Sequence, residues 1–462
     1  MDINNLKKKT VLVLGAGKTG IASANFLLDK AGKILLSESN KRPVNLDDKI
    51  NYLLKSGVEA EFNINSNEFI NKADLVIISP GISPKSEIAK KIYSLKIPII
   101  SDIELAKNFT KKPVIAVTGT NGKTTTTTLI SHIINKSGKK AITCGNIGKP
   151  FIEAINEADN NTDYYVLEIS SFQIFYSPNL SCNITVCLNI TPDHLDWHES
   201  LEHYIESKMK LFLQQKKDSW AVLNFDDKII KGFKVLSNKF YFSYSLNNKN
   251  DIKSFENLAF LENDLLKVKI KNTLSEIINK NELKILGAHN IENTLASIAV
   301  SKILDLKDTD IRNATKSFEG VEHRLEYVRN LNGKEFYNDS KATNPESTTK
   351  AIEAISNKYG KNITLILGGR DKHTSLLEMI NAIKKNVTEV ILYGEAKERF
   401  QKELNNSSYK SLKIVSSLKE AVTTSLQSKT DIVLFSPACS SFDMFKNYEE
   451  RGKLFKDMVC RF

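Results

Sequence analysis

The sequence predicts an α/β protein made of parallel β–α units in about three domains. Three observations predict this. The 462 residues exceed what a single core organises, at roughly 150 residues per domain. Short apolar runs alternate with stretches of helical periodicity almost throughout, the pattern of parallel sheets covered by helices. Two of those runs end in glycine-rich turns that open a helix. Hydrophobic residues make up 41% and charged residues 26%, close to ordinary globular usage, so wholesale disorder is excluded. No apolar run approaches the ~18 residues of a membrane helix. Residues Met1–Lys9 lack the apolar stretch and small-residue cleavage site of a signal peptide. Five scattered cysteines form no C-x-x-C, which argues against a disulfide scaffold and a structural zinc site. The expectation is a soluble cytoplasmic protein.

The first region, residues 1–111, holds strand candidates at Thr10–Leu14, Lys33–Leu36, Leu75–Ile78 and Ile97–Ile100. The second, residues 112–320, opens on Pro113–Val117, a buried-strand pattern, and continues with Tyr164–Leu167 and Ile184–Leu188. Leu201–Leu213 reads as a helix. A lysine- and asparagine-rich stretch, about Leu236–Asn281, breaks the rhythm and reads as a β-rich insertion, and a helix of small residues, Asn290–Leu304, follows. The third region, residues 321–462, has strands at Glu335–Tyr337, Ile363–Leu367, Glu389–Tyr393 and Asp431–Phe435 with helices between.

Net charge is +11, from 65 basic and 54 acidic residues. Lysine supplies most of the excess and is spread over the whole chain, while arginine is rare and scattered. Groove readers cluster arginine with aromatic residues, so nucleic acid is not the expected partner. Anionic membranes, anionic small molecules and mere compositional drift without functional content all remain consistent with the spread lysines.

The strongest motif is Thr118-Gly119-Thr120-Asn121-Gly122-Lys123-Thr124-Thr125, after a strand and at the start of a helix. Glycines let consecutive N–H groups turn toward phosphate oxygens, and the helix N-terminus adds its positive end. Lys123 reaches the β/γ-phosphates and the Thr124 hydroxyl suits Mg²⁺. The match to G-x-x-x-x-G-K-[ST] is imperfect, since Val117 stands where the first glycine belongs. A second motif, Gly15-Ala16-Gly17-Lys18-Thr19-Gly20, fits G-x-G-x-x-G, with Glu38 at roughly the distance of a ribose-binding acid. Alone it suggests NAD and a dehydrogenase.

Ligands gather at the carboxyl ends of parallel strands. Glu168 ends the run Tyr164–Leu167, where it either holds Mg²⁺ or caps the next turn. Asp193-His194-Leu195-Asp196-Trp197-His198 follows another strand and suits a second metal or an acidic substrate. His194 and His198, four apart, resemble a zinc pair, but no third ligand cluster accompanies them. Three strands of the last region end in polar loops: Asn338–Pro345, Gly368–Lys372 and Ser436–Asp443. Together they make a binding face.

These segments, with Ser79–Ile82, Gly145–Gly148, Leu167–Gln173, Thr191–Asp196, Gly287–Asn293, Glu322-His323-Arg324 and Ser436–Gly452, stand in one order from end to end and resemble the Mur ligase family. The stretch Ser436–Gly452 points to its D-glutamate-adding branch. The absence of an evident D-N-P-R motif in the third region disfavours the diamino-acid branch.

The resemblance implies a Rossmann-like N-terminal domain (1–111) for a UDP-linked substrate, a central P-loop ATPase-type domain (112–320) and a Rossmann-like C-terminal domain (321–462) for the amino acid. It implies an ATP-dependent ligase, monomeric, that joins D-glutamate to UDP-N-acetylmuramoyl-L-alanine through an acyl phosphate, with two Mg²⁺ ions. Lys18, Thr19, Ser37 and Gly81 would meet the uridine end. Gly119, Thr120, Asn121, Gly122, Lys123, Thr124 and Thr125 would hold the ATP phosphates. Thr124 and Glu168 would ligate one Mg²⁺, and Glu168, His194 and a carbamylated Lys208 the second. Asn146 would lie near the reacting carboxylate. Asn290, Asn293, Arg324, Asp339 and Lys341 would contact ATP. Thr343, Lys372, Ser441 and Tyr448 would bind D-glutamate.

Overall fold

The structure, a computed structural model, describes residues 3–157, 161–246, 248–371 and 373–461. It forms two compact units: Met1–Asn279 with Glu292–Thr315, and Lys280–Ile291 with Lys316–Phe462. The first unit carries two sheets and the second carries one, so the α/β expectation holds with three sheets.

The N-terminal sheet is parallel throughout, in the order Glu59–Phe62, Lys33–Glu38, Thr10–Leu14, Leu75–Ile78, Ile99–Ile100. Val11, Leu12, Val13 and Leu14 are all buried, which is why the strand reads as an unbroken apolar run: both faces are covered. The expected strand at Ile97–Ile100 shrinks to Ile99–Ile100. Pro98 has no N–H to give the ladder, and its carbonyl accepts from Val76 N–H instead. Glu59–Phe62 escaped the sequence reading because it is an edge strand of sequence Glu-Ala-Glu-Phe, and edges tolerate charge.

The central sheet has nine strands: Thr273–Asn279, Leu265–Ile270, Asn257–Glu262, Asn238–Ser243, Trp220–Asn224, Ile184–Cys187, Val114–Thr118, Tyr164–Glu168, Ala141–Gly145. The stretch expected to be an insertion is a continuation of this sheet. Asn238–Ser243 pairs in parallel with Trp220–Asn224 and with Asn257–Glu262, and two antiparallel strands complete the edge. Its buried Phe240, Phe242, Leu258 and Phe260 explain the pairing, and its lysines, mostly at the surface, hid it.

The third sheet runs Glu326–Leu331, Lys334–Asn338, Ile432–Phe435, Ile363–Gly368, Glu389–Tyr393, Leu412–Ile414, with only the first pair antiparallel. Among the described residues no helix is long and apolar enough to cross a membrane. All five cysteines are free thiols.

Candidate active site

Four neighbouring parallel strands of the central sheet end on one edge: Ile184–Cys187, Val114–Thr118, Tyr164–Glu168 and Ala141–Gly145. The phosphate-type loop leaves the second of them. Gly119 has φ 149° and Gly122 φ 85°, conformations closed to ordinary L-residues. A Cβ on Gly122 would stand 2.3 Å from Asn293 Oδ1. The helix Lys123–Lys136 starts there, and the N–H groups of its first turn have no helical acceptor. Thr124 and Thr125 are buried in that turn. Thr120 and Asn121 are tied to the next strand's loop: Thr120 N–H donates to Asn189 O and Asn121 N–H to Asn189 Oδ1.

Two lysine Nζ atoms converge on one carbonyl. Lys123 Nζ donates to the carbonyl oxygens of Gly119 at 2.9 Å and Thr120 at 2.7 Å. Lys208 Nζ, from the helix Leu201–Leu213, donates to Gly119 O at 3.0 Å and Thr118 Oγ1 at 3.4 Å. Lys208 is 1% exposed. Burial, then the charge of Lys123, push its pKa down to about 7.

Glu168 closes the adjacent strand and is 2% exposed. Its Oε1 accepts from Asn146 Nδ2 at 2.9 Å, while Oε2 is buried with no hydrogen-bond partner. An unpartnered buried carboxylate oxygen costs free energy, so this donor fits a hard cation. His194 projects from a left-handed turn, φ 53°. Its ring is half exposed, 3.4 Å from Asp193 Oδ2 and edge-on to Phe172.

The N-terminal glycine loop is built differently. Gly20 packs so closely that a Cβ would meet Gly15 O at 1.8 Å. Glu38 Oε2 accepts from Ala16 N–H at 2.8 Å and Oε1 from Asn40. Burial acts to raise the Glu38 pKa, but these hydrogen bonds win and hold it below its ordinary value. Lys18 Nζ donates to Gly148 O at 2.7 Å, next to the Asn146 turn. Thr19 is half-buried and Gly81 exposed.

In the second unit Lys334–Asn338, Ile432–Phe435 and Ile363–Gly368 are consecutive neighbours, so the three polar loops share one edge. Asp339 accepts from Leu325 N–H and Ser436 Oγ, and burial raises its pKa to about 7. Arg324 sits between His323 and Leu325, both at positive φ. Lys341 Nζ lies 5.3 Å above the Tyr448 ring. Thr343 is half-buried and Ser441 is buried. Beneath the loops lies Arg451, fully buried. Its guanidinium donates to Ser340 Oγ at 3.0 Å, Ser340 O at 2.7 Å and Cys439 O at 3.0 Å.

Family models match along the chain: the Mur ligase MurD-like N-terminal domain at residues 9–101, the Mur ligase middle domain at 117–301 and the Mur ligase glutamate ligase domain at 323–439. A UDP-N-acetylmuramoylalanine–D-glutamate ligase from Caldicellulosiruptor bescii is 40% identical, with 98% of each chain covered. The chain belongs to the Mur ligase family. A ligase of the same name from Koribacter versatilis is 38% identical with 98% of each chain covered. Solved structures share the fold: UDP-N-acetylmuramate-alanine ligase from Thermotoga maritima (TM-score 0.59, 19% identity, covering 98% of this chain and 99% of that one) and a MurF ligase from Thermotoga maritima in complex with ADP (TM-score 0.58, 16% identity, covering 100% and 99%).

Of the residues expected to serve this Mur ligase, Lys123, Thr124, Glu168, Asn146 and His194 lie at or just after strands that end on the one central edge, and Lys208 reaches Gly119 O from the helix Leu201–Leu213. Asn293 packs beside Gly122, and Asn290, counted with the second unit, donates to Leu286 O. The buried Ser37 hydroxyl lies 2.6 Å from Glu61 Oε1 and 2.7 Å from Asn65 Oδ1. Lys372 lies outside the described residues. His198 does not join His194; it is buried against Ser171 and His203. The sequence reading missed Arg451 and Tyr204, whose hydroxyl lies 3.0 Å from Thr120 Oγ1. Arg451 fell inside the quoted C-terminal stretch, and an arginine in a helix gives no sign that it points inward. The carboxylates of Glu322 and Glu326 beside His323 are already paired with Lys456.

Proposed function

We infer that this chain is an ATP-dependent, amide-bond-forming ligase that adds D-glutamate to UDP-N-acetylmuramoyl-L-alanine in peptidoglycan precursor synthesis. The observation that carries this is identity of 34–40% over 98% or more of the chain with ligases of that name.

A carboxylate is a poor acylating agent because its leaving group would be oxide. Transfer of the γ-phosphoryl of ATP to the substrate carboxylate makes an acyl phosphate; the D-glutamate amine then attacks the carbonyl carbon, the C–O bond breaks and phosphate leaves. Lys123 and the first-turn amides oppose the anionic charge that gathers on the phosphoryl oxygens. Thr124 and Glu168 would hold one Mg²⁺, and Glu168, His194 and Lys208 a second. When bound, Mg²⁺ supplies the charge neutralisation that lets two anions meet.

For Lys208 the reading is a carbamate. With its pKa near 7, much of the amine is unprotonated at neutral pH. The neutral amine nitrogen adds CO₂ and releases one proton to solvent, which leaves an anionic carbamate able to face Mg²⁺. Asn146 orients Glu168 and borders the substrate carboxylate. Lys18, Thr19, Ser37 and Gly81 serve the uridine end. Asn290, Asn293, Arg324, Asp339 and Lys341 serve ATP; Thr343, Lys372, Ser441 and Tyr448 serve D-glutamate. The regions 1–111, 112–320 and 321–462 divide these tasks within a single chain, in the cytoplasm, where ATP and UDP-linked precursors occur.

The test is phosphate release from ATP, Mg²⁺ and UDP-N-acetylmuramoyl-L-alanine with D-Glu, L-Glu, L-Ala, L-Lys or diaminopimelate as acceptor. Release with D-Glu alone is expected. Equal release with L-Ala or diaminopimelate would overturn the assignment.

A further inference from the structure

His198 is used by no step of the reaction above, yet it is 2% exposed and fully engaged. Its Nε2 lies 2.9 Å from Ser171 Oγ, and its Nδ1 lies 3.2 Å from Nδ1 of His203. Ser171 opens the helix Ser171–Phe175, three residues after Glu168. His198 closes the helical turn Leu195–His198, which follows His194 directly. One buried hydrogen bond therefore joins the segment that carries Glu168 to the segment that carries His194.

Packing repeats the connection. Phe172 stacks on His198, with centroids 5.4 Å apart and planes 20° apart, and presents an edge to His194 at 4.8 Å. The His198 ring also meets Tyr204 at 5.1 Å, and the Tyr204 hydroxyl reaches Thr120 of the phosphate loop. The turn so held is strained: His194 has φ 53° and Glu199 φ 64°. Non-glycine residues in that region are unfavourable and persist only where the surroundings fix them.

We propose that His198 is a positioning residue: through its hydrogen bond to Ser171 it holds His194 in register with Glu168, so that both reach one divalent cation. This rests on the reading of Glu168 and His194 as cation ligands. The buried Glu168 Oε2 with no partner is the observation that a cation fits there. A ligand turn that is free to shift loses cation affinity without losing its ligands.

The experiment uses Ser171→Ala and His198→Phe in the full chain. The phenylalanine keeps the ring stack and removes both hydrogen bonds. Two quantities are read: the MgCl₂ concentration that gives half of the Mg²⁺-dependent rise in melting temperature with ADP, and the MgCl₂ concentration for half-maximal phosphate release. Both are expected to rise about tenfold, more than kcat at saturating Mg²⁺ falls. His198→Gln, whose amide can still meet the Ser171 hydroxyl, should recover part of the shift. The double variant should be no worse than the more affected single variant, because the His198–Ser171 bond is already lost in each. An unchanged Mg²⁺ requirement with a lower melting temperature would make His198 a packing residue and overturn the proposal. Should His198→Phe fail to fold, the Mg²⁺ shift of Ser171→Ala decides. If the unaltered protein shows no Mg²⁺ effect with ADP, the ligand reading itself falls and takes this inference with it.

Discussion

The two glycine loops of the first unit both follow a buried parallel strand and both open a helix, yet they are electrostatic opposites. In the N-terminal loop an anion is already in place: Glu38 accepts from Ala16 N–H and Asn40. In the central loop a cation is in place instead: Lys123 donates to the Gly119 carbonyl, which the Lys208 amine shares. The first loop's close approach of helix to strand at Gly20 serves packing. The second loop's left-handed Gly122 turns the chain into a helix whose first-turn amides have no helical acceptor. A glycine pattern thus marks where a backbone folds tightly, and the neighbouring charges decide which loop amides are already occupied.

The sharpest way to break this contrast is Lys123→Ala. ADP formation should fall on the order of 10³-fold, since the phosphoryl oxygens lose their main counter-charge; undiminished turnover would remove Lys123 from the chemistry. Next comes Lys208→Ala, with a loss of about 10²-fold or more and partial return on adding acetate or propionate. The same residue gives a pH test. Because its folded pKa is depressed to about 7, the free amine prevails above pH 7. CO₂-stripped enzyme should therefore regain activity faster at pH 8 than at pH 6.5 when the two are compared at the same concentration of dissolved CO₂.

Gly20→Ala should act on stability instead. The added Cβ meets backbone and not a movable side chain, which costs about 2–3 kcal/mol in denaturant unfolding. The smallest effect is expected of Glu38→Gln, below about 1 kcal/mol. Glu38's depressed pKa stabilises the fold above the usual carboxylate range, so the gap to the variant should close as pH falls through that range. NADH should bind neither protein, because the loop's amide is already taken. Saturable NADH binding to the unaltered protein would undo the contrast.

Much of the fold was legible because buried parallel strands must be apolar on both faces: Thr10–Leu14, Leu75–Ile78, Val114–Val117 and Ile363–Leu367 all declare themselves. Strands buried on one face or lying at an edge do not. Glu59–Phe62, Glu326–Leu331 and the strands between 238 and 279 therefore went unseen or were misjudged. The phosphate loop was readable because its chemistry is local in sequence, with glycine, lysine and threonine within eight positions.

The sequence by itself determined the parallel α/β architecture, the two glycine turns and the polar strand ends, since each follows from residues that are near neighbours along the chain. Only the tertiary structure decided that Lys208 loses its charge near neutrality, that Glu168 keeps one oxygen without a partner, that His198 turns away from His194 toward Ser171, and that Arg451 points inward beneath three loops. Those facts depend on burial and on partners tens of residues away, and the free energy of a charge is set by what surrounds it and not by what precedes it in the chain.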